Sequence, residues 1–188
     1  MLMRRRVWRD SQPGLDPDRL VFIDETWAKT NMARSHGWAP RGERLRMAVP
    51  HGHWNTTTFV AGLTRRGMIA PFVLPGAIDR DAFETYLKEV LVPELRNGDL
   101  VVMDNLSSHK GPKARKIIEE AGTRILFLPP YSPDFNPIEL AFAKLKAKLR
   151  KAAERTVDRL WSTIGKISQS FSPQECKNYF NAAGYTAT

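Results

Sequence analysis

The order of apolar runs along the chain constrains its fold more than any other feature. The run RLVFIDE (residues 19–25) predicts a buried strand that ends in acids, and LVVMD (100–104) is typical of a strand buried on both faces. Between them, residues 79–95 carry apolar side chains at helical spacing. A right-handed helical crossover brings the second strand in parallel with the first. The sequence therefore predicts an α/β fold.

Further strands and helices follow from alternating apolar residues and from helix start and stop signals. Segments 43–49, 55–63 and 68–74 are predicted to continue the first strand as a meander. After LVVMD, the predicted elements are a helix at 111–122, a strand at 124–128, a helix from Pro137, and helices at about 157–170 and 173–182.

Three acidic residues stand where these elements end or begin. Asp24 and Asp104 each close a predicted strand, and Glu139 lies in the first turn of the helix that starts at Pro137. If the two strands are neighbours, both aspartates lie at the rim where open α/β sheets place their sites, and Glu139 can reach that rim. The simpler alternative is that both aspartates are strand-end turn residues.

Glu139 also has a purely structural interpretation. In NPIE, Asn136 stands at the N-cap, Pro137 at the first helical position and Glu139 at the third, which is a capping box. A carboxylate on a rigid helix start is equally suited to bind a metal ion. The two roles are compatible, with Asn136 capping the helix while Glu139 turns to the metal.

Converging carboxylates indicate a metal site. Two aspartates and a glutamate repel one another unless a cation lies between them. Carboxylate oxygens without thiol or imidazole select hard cations, which favours Mg²⁺, with Mn²⁺ as a substitute. Two such ions roughly 3.5–4 Å apart suit a phosphodiester displacement. The pattern therefore predicts two ions held by Asp24, Asp104 and Glu139.

Positive charge is concentrated towards both ends of the chain. The net charge is +9 over 188 residues, with +4 in residues 1–50, −1 in 51–139 and +6 in 140–188. Clustered positive charge favours a polyanion such as nucleic acid, because neutralised phosphates release counterions. Cys176 is the only cysteine, which excludes an internal disulfide, and no run has the ~18 apolar residues of a membrane span. We expect a cytosolic protein without a membrane partner.

The three acids lie in the segments FIDETW, VVMDNLSSHK and LPPYSPDFNPIELAFAKLK, and 34 residues lie between Asp104 and Glu139. These segments and this spacing resemble the three signature segments of mariner-related bacterial insertion-sequence transposases, which belong to the DDE endonuclease superfamily. GWAPRGER and NYFNAAGY also resemble the family, so the resemblance covers nearly the whole chain.

The resemblance implies an RNase H-like fold with a central mixed five-stranded sheet flanked by helices. It also implies that Asp24, Asp104 and Glu139 form the catalytic acidic triad. Relatives carry an N-terminal helix-turn-helix region that recognises transposon ends, and no such region is expected here. Residues 1–18 are predicted to be a basic lead-in segment and residues 19–188 the catalytic domain. An upstream DNA-binding polypeptide is therefore a possible partner.

Candidate DNA contacts surround the predicted site. On the helix from Pro137, two basic residues follow Glu139 by seven and eleven positions and so fall near its face. Trp27 and Trp38 are interpreted as core or loop anchors rather than as platforms for bases. The residues predicted to contact DNA are Arg41, Arg44, Asn105, His109, Lys110, Lys146 and Arg150, with a turn or a solvated helix face as the structural alternative.

The sequence as a whole predicts a transposase catalytic domain. By resemblance, it cleaves DNA at transposon ends with Mg²⁺ and transfers the strand to target DNA, as a homodimer or larger assembly in the nucleoid of a bacterial cytoplasm. Two alternatives stay open. One is a non-catalytic transposase remnant that only binds nucleic acid, and the other is a nuclease of the same fold that acts on RNA–DNA hybrids.

Overall fold

A five-stranded mixed sheet forms the centre of the protein, in a computed structural model that describes residues 2–104 and 111–186. The strand order is β3-β2-β1-β4-β5, with β1 antiparallel to β2 and parallel to β4, which pairs in parallel with β5. The strands are β1 (Leu20–Lys29), β2 (Thr56–Thr64), β3 (Gly67–Pro75), β4 (Leu100–Met103) and β5 (Arg124–Phe127). This confirms the predicted α/β class and the mixed five-stranded sheet.

Helices cover both faces of this sheet. Along β1, Phe22 packs into one apolar core while Val21 and Ile23 pack into the other, which explains the continuous apolar run. The helices are α1 (Leu2–Ser11), α2 (Arg80–Tyr86, extended by a π-helical turn over Leu87–Leu91), α3 (Pro112–Glu120), α4 (Pro137–Ala152), α5 (Val157–Ser168) and α6 (Pro173–Ala182). None of the helices in the described residues is long and apolar enough to cross a membrane.

Segment 43–49 is not a strand, so this prediction was wrong. Residues 33–55 contain neither helix nor strand, and Leu45, Met47 and Val49 are exposed. Alternation alone does not make a strand, since the formation of a strand depends on its tertiary neighbours. β2, the strand that follows this segment, already pairs with β1 on one side and β3 on the other, so segment 43–49 cannot pair with it.

β1 extends further than its sequence predicted. Thr26, Trp27 and Ala28 pair with β2, so Asp24 lies inside the strand and not at its end. The pairing of β1 with β4 nevertheless stops at Ile23 opposite Met103. Asp24 and Asp104 are therefore the residues directly after the last β1–β4 pair, and the predicted neighbourhood of the two strands is confirmed.

The lead-in segment contains a helix that packs on the rest of the chain. In α1, Trp8 is buried, and its Nε1 donates a hydrogen bond to the Tyr185 hydroxyl at 3.0 Å. That hydroxyl in turn donates to the backbone carbonyl of Phe135 at 2.8 Å. Gln12 adds a bond from its Nε2 to the carbonyl of Ala183 at 2.9 Å. Tyr185 thus ties α1 to the loop that precedes α4.

Candidate active site

The three predicted acids line one cavity. Asp24 comes from β1, Asp104 from the end of β4, and Glu139 from the first turn of α4. The cavity has a volume of about 520 Å³, and Glu25, Asn136 and the loop 128–133 complete its wall. Ile23 and Met103 form the last pair of β1 and β4 among the described residues, and Asp24 and Asp104 directly follow that pair. The fold therefore brings the three carboxylates to one opening.

Asp24 is the most deeply buried of the three acids, with only 8 % of its surface exposed. Its Oδ1 accepts the backbone N–H of Glu25 at 2.8 Å, and its Oδ2 accepts Nδ2 of Asn136 at 2.8 Å. Burial, followed by the negative charges of Asp104 and Glu139, raises the pKa of Asp24 to about 8, even though the N–H of Glu25 lowers it. The cavity therefore carries more negative charge than its surroundings offset.

Asn136 has a role that sequence reasoning missed. It is the N-cap of α4 and Pro137 is the first helical residue, as predicted, but its side chain forms no cap hydrogen bond. It donates to Asp24 instead, and its buried Oδ1 has no hydrogen-bond partner among the described residues. The predicted capping box was therefore wrong, because the Asn136 side chain does not bond to the backbone of the first turn. Local sequence could not reveal this, because Asp24 lies 112 residues away.

The donor set of the cavity fits a hard divalent cation. Within residues 2–104 and 111–186, no three His, Cys, Asp or Glu side chains lie close enough together to hold a metal ion. The three acids nevertheless open onto one space, and every donor they supply is a carboxylate oxygen. Burial and the negative charges of Asp104 and Glu139 raise the pKa of Asp24, and a cation among the three acids would favour its ionised form.

Among the predicted DNA contacts that the structure describes, Lys146 lies within reach of the acids. Its ammonium is 4.6 Å from the centre of the Trp27 ring. Burial lowers the pKa of Lys146, as does the charge of Arg150, while Glu139 and Asp24 raise it, so all four groups lie within electrostatic reach. Lys146 thus lies on the side of α4 that faces the acids, and Arg150 lies within electrostatic reach of Lys146.

The other candidate contacts lie elsewhere. Arg41 and Arg44 are exposed in the segment 33–55 and do not line the acid cavity. Asn105, His109 and Lys110 fall outside the described residues. Trp27 and Trp38 are both exposed, so the interpretation of either as a core anchor was wrong.

Solved structures of a transposase called Mos1 have the same fold. A pre-cleavage Mos1 transpososome matches with a TM-score of 0.74 at 16 % identity, covering 96 % of this chain and 56 % of that one. The catalytic domain of Mos1 mariner transposase matches with a TM-score of 0.64 at 17 % identity, covering 97 % and 81 %. The same domain with Raltegravir and Mg matches with a TM-score of 0.63 at 16 % identity, covering 96 % and 87 %. This likeness confirms the predicted RNase H-like fold.

The chain thus spans little more than half the length of the Mos1 chain in the transpososome. No curated protein matches its sequence. Residues 19–161 match the family described as DDE superfamily endonuclease, and this stretch contains all three acids of the cavity. Since the match covers most of the sequence, the chain belongs to the DDE superfamily of endonucleases.

Proposed function

We propose that this chain is the catalytic part of a transposase, which cleaves DNA strands at transposon ends and transfers them to target DNA. The observation that carries the proposal is the cavity lined by Asp24, Asp104 and Glu139 in a chain of the DDE endonuclease family. The likeness to Mos1 assemblies described as pre-cleavage, paired-end and strand-transfer complexes supports it.

Asp24, Asp104 and Glu139 would hold the metal, which we propose to be two Mg²⁺ ions with Mn²⁺ as a substitute. Bound there, such ions supply an activated attacking oxygen and stabilise the leaving oxygen of a phosphodiester. Mos1 structures with Mg and with Mn support this choice. No covalent link between protein and DNA is required, because water and then a DNA 3′-hydroxyl serve as nucleophiles.

Neighbouring groups prepare the acids for this task. The amide of Asn136 and the N–H of Glu25 each bind one oxygen of Asp24, so the carboxylate has one fixed orientation. Each oxygen keeps lone pairs for a cation. The ammonium of Lys146 adds a positive charge beside the acids, where a DNA phosphate would approach.

The same proposal extends to the setting in which the chain works. We propose DNA as its partner, assembly as a homodimer or larger complex on that DNA, and an upstream DNA-binding polypeptide that recognises the transposon ends. A bacterial insertion sequence and the nucleoid of the cytoplasm are the proposed context. The +9 charge of the chain suits a polyanionic partner.

The first test is nicking of supercoiled plasmid by the purified chain in Mg²⁺ or Mn²⁺. We expect metal-dependent nicking that Asp104→Asn abolishes and that Glu89→Gln, a change at an exposed acid, leaves intact. Equal nicking by the wild type and by Asp104→Asn would contradict the proposal. DNA binding that is salt-sensitive but independent of metal and of the three acids, without nicking, would favour the non-catalytic remnant.

A further inference from the structure

A second cavity adjoins the acid cavity along β1. It has a volume of about 410 Å³, and its wall includes Trp27 and Lys29 of β1 and their cross-strand neighbours Thr58 and Thr56. Glu25 lines both cavities. Lys146 also links them, because it lies within electrostatic reach of Asp24 and Glu139 and its ammonium is 4.6 Å from the centre of the Trp27 ring.

Trp27 forms the floor of a cationic, aromatic surface at this junction. Its side chain is 48 % exposed although it lies in the middle of a paired strand. The ammonium of Lys146 lies 4.6 Å from its ring centre and that of Lys29 lies 4.9 Å from it. Lys29 is also 5.7 Å from the ring of Trp54, which is exposed as well.

β1 gives this surface a rigid support. Trp27 lies opposite Thr58 in the pairing with β2, while among the described residues β4 pairs with β1 no further than Ile23. The pairing with β2 thus fixes the backbone that carries the indole. Sites built on strands hold their geometry better than sites built on loops.

The chemistry of this surface selects one class of ligand. A flat aromatic face with two ammonium groups suits a group that has a flat ring and a negative charge, which is the make-up of a nucleotide. Within a DNA duplex the faces of each base are covered by its neighbours, so a paired nucleotide offers no face for stacking. An unpaired nucleotide does. Among the described residues, Glu25 is the only acid on the wall, so phosphate is expected on the side of Lys29 and Lys146.

We propose that Trp27, Lys29 and Lys146 bind one unpaired nucleotide of the DNA strand whose phosphodiester occupies the acid cavity. The base stacks on the indole and displaces one ammonium group from the ring, and that ammonium then binds the phosphate of the same nucleotide. The exchange is favourable because base stacking is stronger than an exposed cation–π contact. The inference rests on the proposed function only in taking DNA as the ligand.

This site defines a class of substrate that the acids alone do not. Three carboxylates and their metal ions accept any phosphodiester, whereas an indole that takes a free base prefers DNA with a frayed or displaced nucleotide next to the reacting phosphate. The expected preference is for ends with an unpaired nucleotide over blunt ends.

The test is binding of two short duplexes in EDTA, where no hydrolysis occurs. One duplex carries a single unpaired 2-aminopurine at its end and the other is blunt. We expect the wild type to bind the first at least about 5-fold more tightly and to quench the 2-aminopurine fluorescence. Trp27→Ala should bind both equally without quenching, Trp27→Phe should keep part of the preference, and Lys29→Gln should lower the affinity for the unpaired end.

Trp38→Ala is the matched control, because it removes another exposed indole from outside both cavities. It should behave as the wild type, and circular dichroism checks that each variant is folded. The inference is overturned if the wild type shows no binding preference for the unpaired end. It is also overturned if Trp27→Ala and Trp38→Ala lose that preference equally. Plasmid nicking without a binding preference for the unpaired end would support the proposed function and contradict the nucleotide site. A binding preference for the unpaired end without nicking would support the nucleotide site and contradict the proposed function.

Discussion

Two helices of this protein begin with the same sequence pattern and use it differently. α4 starts with Asn136–Glu139 and α6 starts with Ser172–Glu175, and each has a polar N-cap, a proline at the first helical position and a glutamate at the third. At α6 the serine side chain accepts the backbone N–H of Glu175, as a cap should. At α4 the asparagine leaves the helix uncapped and binds Asp24.

The two glutamates differ in the same way. Glu175 accepts hydrogen bonds from Lys144 and from the hydroxyl of Tyr179, so its charge is fully paired. Glu139 faces a cavity that it shares with two other acids. The pattern thus determines where a helix begins, and the residues opposite the first turn determine whether its carboxylate stabilises the fold or is left for a ligand.

The largest effect that separates the two helices is expected from Glu139→Gln. Loss of a proposed metal ligand should lower metal-dependent nicking by more than about 100-fold, since even residues that only orient ligands account for about 10- to 100-fold. The midpoint of thermal unfolding should hold or rise slightly, because one of three mutually repelling carboxylates is gone. Kinetics of plasmid nicking together with a thermal melt measure both. A large drop in melting temperature would show that Glu139 is structural.

Asn136→Ala is expected to have the next largest effect. It removes the donor to Asp24 Oδ2, so nicking should fall by about 10- to 100-fold. Ser172→Ala at the equivalent position of α6 should instead cost about 0.5–2 kcal/mol of unfolding free energy and leave the nicking rate of the folded protein unchanged. If Asn136→Ala and Ser172→Ala have the same effects on the nicking rate and on the free energy of unfolding, the two helix starts do not differ in role.

Glu175→Gln should cost about 1–3 kcal/mol in the free energy of unfolding at neutral pH, because Lys144 loses its charged partner. Burial alone would raise the pKa of Glu175, but the hydrogen bonds from Lys144 and Tyr179 outweigh it and hold the pKa below its ordinary value. A lowered folded-state pKa contributes stability above the unfolded pKa, and this contribution is lost as the pH falls through the folded one.

Urea denaturation of the wild type and of Glu175→Gln at several pH values measures this dependence. The difference in unfolding free energy should be full at pH 7 and should shrink below about pH 4. A difference that stays constant down to pH 3 would mean that the charge of Glu175 contributes nothing.

The smallest effect compares two lysines on α4. Lys144 pairs with Glu175, whereas Lys146, two residues further on, lies beside the acids. Lys146→Gln should weaken DNA binding and reduce the slope of log affinity against log salt by about one, with little change in stability. Lys144→Gln should lower stability and leave the salt slope unchanged. Filter binding over a salt series distinguishes them, and equal slopes for both variants would contradict the assignment.

Much of the fold follows from local signals in the sequence. The apolar runs before Asp24 and Asp104 identify strands buried on both faces, and Pro137 marks the start of α4. The grouping of the three acids follows from parallel strands that end at one rim. These features depend on neighbours in the chain or on the connection rules of α/β sheets, so they can be inferred without coordinates.

Features that depend on distant partners could not be predicted. α1 has a single buried residue, Trp8, whose partner Tyr185 lies 177 positions away. Trp27 is exposed at a point of β1 beyond Ile23, the last residue that pairs with β4 among the described residues. In each case the deciding contact, or its absence, is set by tertiary structure and not by the residue's own neighbours.

The hydrogen bond from the hydroxyl of Tyr185 affects when, during synthesis, the loop beside the acids can finish folding. A ribosome releases the chain from its N-terminus, so both aspartates and the start of α4 emerge well before this tyrosine. The carbonyl of Phe135, next to Asn136, accepts a hydrogen bond from Tyr185, which is made 50 residues later. The loop beside the acids therefore gains this hydrogen bond only after Tyr185 has been added, and a nascent chain that stops short of Tyr185 carries the three acids without this support.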